Sequence, residues 1–147
     1  MSKTLMIQHV VFCTKHRSKT INLEKRRELY SIMYHLLKKK KCWVYRINGI
    51  SDHVHLLFDL HPSLAMADVV KMLKVDTNKF MAAHPDFQLF NGWGEGYFAV
   101  SVSPSDKDAV IQYIVNQEQH HLKSDFLVEI EGMLQRNEMR WQPDDWD

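Results

Sequence analysis

The order of the segments along the chain restricts its fold more than any other feature of the sequence. Patterns of apolar and β-branched residues predict a strand, a helix, two strands, a helix, a strand and a helix, followed by a further short helix in the tail. The predicted strands are 5–14, 42–50, 53–60 and 97–103, and the predicted helices are 23–41, 63–82, 106–121 and a short one at 124–136. This order is typical of an α+β, ferredoxin-like fold, in which helices cover one face of an antiparallel sheet.

Composition indicates one globular unit. The 147 residues contain no linker rich in Pro, Gly or Ser, so a single domain over 1–147 is expected. Hydrophobic residues make up 45% and charged residues 25%, which excludes an intrinsically disordered chain. Two cysteines provide no disulfide framework, and no signal peptide or membrane span is apparent. We therefore expect a cytoplasmic protein with no membrane partner.

The charges are distributed unevenly along the sequence. Residues 1–50 contain 12 of the 19 Lys and Arg residues and only two acidic residues, a net charge of +10, whereas residues 51–147 have a net charge of −9. This asymmetry favours a surface for nucleic acid or another polyanion in the first part of the chain. If the two parts fold together, their charges interleave instead, and charge alone leaves both interpretations open.

The sharpest local motif is Asp52-His53-Val54-His55 in the third predicted strand. Because side chains alternate along a strand, His53 and His55 face the same side, about 6.5–7 Å apart. Two imidazoles on one face can converge on a cation, since histidine is a common metal ligand. Pairs of this kind also occur as ordinary surface residues, so the motif by itself leaves both roles open.

A second group of residues lies on the third predicted helix, whose start is predicted by a capping box at residues 105–108. At 100° per residue, Tyr113 and Gln117 share one face, at the edge of the apolar side of this helix. That apolar side comprises Val110, Ile111, Ile114 and Val115. An edge tyrosine usually packs half-buried with a hydrated hydroxyl, and the spacing alone does not distinguish this role from a chemical one.

Taken together, the motifs resemble those of the single-tyrosine HUH transposases of the insertion-sequence 200/605 type. The similarity covers nearly the whole chain, through residues 9–17, Gly49, 52–57, 96–103, 113–121 and 126–134. Each motif alone is unspecific, whereas their combination in this order is specific. The resemblance implies the HUH endonuclease fold and a transposase that cleaves and rejoins single-stranded DNA at hairpin-marked ends.

The resemblance also implies a role for each motif residue. In that family two histidines and a glutamine hold a divalent cation, and a tyrosine attacks the DNA to form a 5′-phosphotyrosine. By position, the metal ligands are His53, His55 and Gln117, and the nucleophile is Tyr113. We expect Mg²⁺ or Mn²⁺ by family analogy, although a set of two histidines and a glutamine is unusual for Mg²⁺, which prefers oxygen ligands.

Assembly and DNA contacts follow from the same resemblance. We expect a homodimer whose active sites are shared between chains, with His53 and His55 from one chain and Tyr113 and Gln117 from the other. The expected partners are single-stranded DNA hairpins, with the protein at the nucleoid when bound. The candidate DNA-binding residues are Lys15, His16, Arg17, Lys19, Lys74 and Lys79.

No base for the tyrosine is evident, because strand and helix geometry is expected to turn the nearby carboxylates of Asp52 and Glu118 away from the motifs. Two alternatives remain open. A domesticated relative would use the same site on palindromic repeats of its host. A non-catalytic ferredoxin-like module would bind nucleic acid without a metal and without a covalent adduct.

Overall fold

The computed structural model describes residues 1–122 and 125–141. Four strands are present: β1 (Ile7–Cys13), β2 (Trp43–Ile50), β3 (His53–Asp59) and β4 (Phe98–Ser101). Five α-helices are present: α1 (Arg26–Lys39), α2 (Met66–Ala82), α3 (Lys107–Val115), α4 (Gln117–His121) and α5 (Phe126–Arg136). Short 3₁₀ turns lie at Lys15–Arg17 and Pro85–Phe87. Over the described ranges, none of the helices has both the length and the apolar character that a membrane span requires.

The strands form one antiparallel sheet in the order β2-β3-β1-β4. This is the strand order of a ferredoxin-like fold, so the predicted α+β class is confirmed. The two central strands are paired so that Val11 lies opposite His55 and Cys13 lies opposite His53. The central position of β3 keeps both histidines away from the edges of the sheet.

Both faces of the sheet are covered by helices. From β3, Val54, Leu56 and Phe58 point into a core shared with α1 and α2, which we call the first face. On the opposite face, helices α3 and α5 pack in two smaller apolar clusters. The sequence predicted helices on one face of the sheet, and α1 and α2 lie on that face. Helices α3 and α5 also cover the second face, because β1 and β3 carry apolar side chains on both sides.

The third predicted helix is divided into two pieces. The helix expected over 106–121 ends at Val115, and α4 begins at Gln117 after Asn116, whose backbone angles (φ −92°, ψ 22°) lie outside the helical range. The predicted capping box of Ser105 and Asp108 does not form, since the Ser105 hydroxyl lies 3.0 Å from that of Ser103 and the N-cap is Asp106, which makes no capping bond. The break changes the direction in which Gln117 points relative to Tyr113.

Gly49 allows the close approach of the two strands that lead into the site. It lies opposite Val54 in the β2–β3 pair, and a Cβ at this position would overlap the backbone carbonyl oxygen of His53. Only glycine therefore fits here without a shift of the strand that carries the histidines.

Candidate active site

His53 and His55 form the centre of the candidate site, on the second face of the sheet. Both side chains are fully buried, and their ring centroids are 5.0 Å apart. Val54, which lies between them, points to the first face of the sheet, so the alternation of side chains along β3 brings the two imidazoles together on the second face. Buried imidazoles require hydrogen-bond partners, which come from four other elements of the chain.

Asp52 orients the first imidazole. Its Oδ1 lies 2.6 Å from Nδ1 of His53, so Nδ1–H donates to the carboxylate and Nε2 points into the site. Burial alone would lower the pKa of His53, but hydrogen bonds to Asp52 and Glu129 raise it to about 9. The expectation that Asp52 turns away is wrong, because the tight turn before β3 folds its carboxylate back onto the next residue.

His9 on the neighbouring strand orients the second imidazole. Nε2 of His9 lies 2.8 Å from Nδ1 of His55, so one ring donates a hydrogen bond to the other. Burial, together with the neighbouring histidine charge, lowers the pKa of His9 to about 3, and burial lowers that of His55 to about 4. His9 belongs to the motif at residues 9–17, but the sequence indicates no role for it, since its contact with His55 depends on the pairing of β1 with β3.

Glu129 of α5 is the carboxylate at which the histidines converge. Its Oε1 lies 2.7 Å from Nε2 of His55 and 3.5 Å from Nε2 of His53. Its Oε2 lies 2.7 Å from Nε2 of His121. Burial alone would raise the pKa of Glu129, but the adjacent imidazoles of His121, His53 and His55 lower it well below the usual range. The carboxylate is therefore ionised inside the protein.

Glu129 was not among the predicted site residues: it lies within the stretch 126–134 of the resemblance, but 74 residues from His55 and with no spacing that links the two. One signal was available. The buried residues of α5 are Phe126, Ile130, Met133 and Leu134, and Glu129 lies on the same face. A charged residue on the apolar face of an amphipathic helix is uncommon unless it is paired, and this position marks it as a functional candidate.

Gln117 contacts the first histidine directly. Its fully buried side chain places Oε1 3.1 Å from Nε2 of His53. Its amide Nε2 has no hydrogen-bond partner among the described residues. Glu118, next in the sequence, forms an ion pair with Arg26 and points away from the histidines, as the sequence analysis expected.

Tyr113 lies beside the same cluster in the same chain. Its ring centroid is 5.7 Å from that of His55 and 4.6 Å from that of His120. Burial, together with the negative charge of Glu129, raises the pKa of the Tyr113 hydroxyl. The structure thus brings together all four predicted site residues, and it places Tyr113 and Gln117 against the histidines of their own chain.

Two cavities give access to Tyr113. One, of about 360 Å³, is lined by His9, Tyr113 and Arg136 among others. The other, of about 350 Å³, is lined by Tyr113, His120, Glu129 and Arg136 among others. Arg136 borders both cavities and provides a positive charge beside the tyrosine. Arg136 was not among the predicted site residues, because it is the last residue of α5, two positions after Leu134, and belongs to no motif.

The cluster has the donor set that a divalent cation requires. Ligand atoms of His53, His55 and Glu129 all lie within 4.8 Å of one another, and the three side chains are buried. Nε2 of each histidine and the ionised Oε1 of Glu129 converge, with the amide oxygen of Gln117 against His53. Glu129 adds the anionic oxygen that a set of two histidines and a glutamine lacks, which suits Mg²⁺ or Mn²⁺ better.

None of the predicted DNA-binding residues lines the two cavities beside Tyr113. Lys15, His16 and Lys74 line a cavity of about 640 Å³ beside α2. The ammonium group of Lys74 donates to the backbone carbonyls of Gly94 at 2.9 Å and Gly96 at 2.7 Å. The remaining predicted residues, Arg17, Lys19 and Lys79, are outside the lining of this cavity.

Comparisons with known proteins agree on one family. The model of the family described as "Transposase IS200 like" matches residues 2–117. The chain is similar to the ISDra2 transposase TnpA of Deinococcus radiodurans, with 28% identity over 114 residues that cover 74% of this chain and 81% of the relative. It is also similar to transposases for insertion sequence element IS200 from Salmonella typhimurium and Salmonella typhi, each with 26% identity over 64% of this chain and 65% of the relative.

Solved structures share the fold. A crystal structure of a candidate transposase from Deinococcus radiodurans matches with a TM-score of 0.60 and 24% identity, covering 79% of this chain and 93% of that one. A structure of a REP-associated tyrosine transposase bound to a REP hairpin also has a TM-score of 0.60, with 12% identity, covering 82% of this chain and 74% of that one. Helix α5, which carries Glu129, lies beyond the residues that the family model matches.

Proposed function

The chain belongs to the IS200-like transposase family, and we propose that it cleaves and rejoins single-stranded DNA at hairpin-marked ends through a covalent bond to Tyr113. The observation that carries this proposal is the position of Tyr113 beside the buried pair His53 and His55. A structural neighbour of the same fold is bound to a REP hairpin, which supports a DNA hairpin as the partner. A protein that acts on DNA in this way would work in the cytoplasm.

The proposed reaction conserves the energy of the phosphodiester bond. The hydroxyl oxygen of Tyr113 attacks the phosphorus, the bond from phosphorus to the 3′ oxygen breaks, and the products are a 5′-phosphotyrosine and a free 3′-OH. A second 3′-OH then attacks the phosphotyrosine, which joins two strands and releases the tyrosine. Because the pKa of Tyr113 is raised, its proton leaves as the new bond forms and not before, and the departing 3′ oxygen takes up one proton in exchange. Arg136, on the lining of both cavities, would offset the phosphate charge.

We assign the metal ligands to His53, His55 and Glu129, with Gln117 as a weaker fourth ligand. When bound, Mg²⁺ or Mn²⁺ would supply positive charge to the non-bridging oxygens of the phosphate. Asp52 and His9 hold the two imidazoles with Nε2 toward the site. A non-catalytic module that only binds DNA would not need this set of buried polar residues, since binding to the phosphate backbone uses an exposed basic surface.

A denaturing gel with labelled single-stranded hairpin DNA and Mg²⁺ or Mn²⁺ tests the proposed function. We expect a band that contains both protein and a DNA fragment, dependent on the cation and lost on addition of a chelator. A non-covalent complex that dissociates fully under denaturing conditions, together with uncut DNA, would support the non-catalytic module instead.

Replacement of Asp52 by Asn is expected to weaken Mn²⁺ binding by about 10–100-fold, the usual cost when a group that orients a ligand is lost. The carboxylate accepts a hydrogen bond from His53 at 2.6 Å, and an amide holds the imidazole less well. Titration of Mn²⁺, followed by electron paramagnetic resonance, measures the affinity. Asp86→Asn, at a surface carboxylate, is the control. Equal affinities of the two variants would exclude the orienting role.

We further propose that each chain contains a complete active site. The prediction of shared sites took Tyr113 and Gln117 from a partner chain, but α3 and α4 here follow β4 and cover the histidines of their own chain. Homodimer formation stays a prediction that this arrangement neither requires nor opposes.

Mixing two inactive variants distinguishes the two arrangements. A chain with His53→Ala and His55→Ala is combined with a Tyr113→Phe chain under conditions that exchange subunits. If each chain supplies its own site, neither member of a mixed dimer is complete, and we expect no cleavage. Recovery of cleavage on mixing would show that the tyrosine helix serves the partner chain.

A further inference from the structure

Another polar cavity, distinct from the two beside Tyr113, lies against β2, an edge strand of the sheet. It has a volume of about 360 Å³ and extends from α1 to the junction of α3 and α4. The residues relevant to its chemistry are Arg26, Arg27, Tyr30, Arg46, Asn116 and Glu118. None of them contributes to the metal cluster or to the tyrosine site.

The cavity has an excess of positive charge. Three guanidinium groups line it with one carboxylate, Glu118, which forms an ion pair with Arg26. Arg27 and Arg46 form no ion pair with any residue that the structure describes, and both are exposed. The planar guanidinium group matches the oxygens of a phosphate in a bidentate geometry, so a group of arginines favours phosphate over simple halide ions.

A buried hydroxyl group in the wall of the cavity also has no acceptor for its proton among the described residues. The Tyr30 oxygen is buried, and no residue in the described part of the chain accepts a hydrogen bond from it. Burial raises the pKa of this hydroxyl, so it stays protonated and available as a donor. A buried donor without an acceptor is rare in proteins, and a phosphate oxygen bound in the cavity would satisfy it.

Hydrogen bonds connect one wall of the cavity to α3, the helix that carries Tyr113. The side-chain amide of Asn48, on β2, donates to the backbone carbonyls of Ile114 at 2.9 Å and Val115 at 3.3 Å. Asn116, in the lining, lies three residues from Tyr113, or about 4.5 Å along a helix axis. A group bound in the cavity is therefore held close to the end of the tyrosine helix.

We propose that this cavity binds a backbone phosphate of single-stranded DNA, held by Arg27 and Arg46 with the Tyr30 hydroxyl as a further donor. This inference rests on the proposed function, because it takes the DNA strand at the tyrosine as its ligand. The site anchors the strand beside the tyrosine helix and reads no base, so its contribution is independent of sequence.

Salt-dependent binding of a labelled 20-nucleotide oligothymidylate tests the proposal. All proteins carry Tyr113→Phe and the buffer contains a chelator, so neither cleavage nor the metal site affects the result. We expect Arg27→Gln with Arg46→Gln to weaken binding and to reduce the slope of log affinity against log salt by about 0.7, the value of one phosphate contact on a single strand.

Lys39→Gln with Lys40→Gln is the matched control. It removes the same charge from exposed residues of the other end of α1, about 18 Å from Arg27 at 1.5 Å per residue. The slope of the control is expected to stay at the value of the parent protein. Equal losses in the two double variants would overturn the proposal and would leave the cleavage assay, and with it the proposed function, unaffected.

A third variant separates a phosphate site from a structural contact. Glu118→Gln removes the negative charge of the one carboxylate in the lining, so a phosphate site should bind the oligothymidylate about three-fold more tightly. If Glu118 served only to fasten α4 to α1, its loss would leave affinity unchanged or weaken it, and either result would count against the proposal.

Discussion

Tyr113→Phe abolishes the covalent adduct and strand cleavage, by more than about 10³-fold, while hairpin binding stays within a few-fold of the parent protein. The change removes the single oxygen that attacks phosphorus. The ring keeps its contacts with the rings of His55 and His120, so the fold should lose little stability. Cleavage of labelled DNA and anisotropy measurements of binding report the two properties separately.

Tyr34→Phe provides the matched control, because Tyr34 is an exposed tyrosine on α1 whose ring lies under the ammonium group of Lys38. A phenylalanine keeps that ring, so this variant should cleave at the parent rate. Persistent cleavage by Tyr113→Phe would show that another residue is the nucleophile.

His53→Ala and His55→Ala each eliminate cation-dependent cleavage, whereas Gln117→Ala has a milder effect. Each histidine supplies an imidazole nitrogen that faces the carboxylate of Glu129, and no water molecule replaces it with equal strength. The neutral amide of Gln117 is a weaker ligand that water can replace. Cleavage rates measured over a Mn²⁺ titration distinguish a weaker affinity for the cation from a slower chemical step.

His35→Ala, at an exposed residue of α1, is the control for these substitutions. Because His53 and His55 are fully buried, circular dichroism and DNA binding must also be measured to show that the variants fold. If Gln117→Ala folded normally and were as inactive as the histidine variants, its role would extend beyond metal ligation.

The fold was largely predictable from the sequence, because every strand and every helix except the third has a local pattern that tertiary contacts did not override. The order of segments and the alternation in β3 determined both the sheet and the shared face of His53 and His55. The break at Asn116 was not predictable, since residues 106–121 contain no proline or glycine. The carbonyls of Ile114 and Val115 at the end of α3 accept hydrogen bonds from Asn48, which is distant in the sequence.

The site was predictable only in part, for a different physical reason. Motif residues on one strand or one helix have a fixed spacing, whereas His9, Glu129 and Arg136 reach the site through strand pairing and helix packing. Their separation along the chain has no regular period. Of these three residues, only Glu129 could have been recognised from the sequence pattern, because it is an acidic residue on the apolar face of α5.

Peptide mapping of the covalent adduct tests the central claim most directly. Trypsin cleavage after Lys107 and Lys123 yields a peptide of residues 108–123 in which Tyr113 is the only hydroxyl-bearing side chain. After reaction with DNA and nuclease digestion, mass spectrometry should find this peptide with a nucleotide attached at Tyr113. Cleaved DNA with the nucleotide on another peptide, or with no peptide modified, would contradict the account.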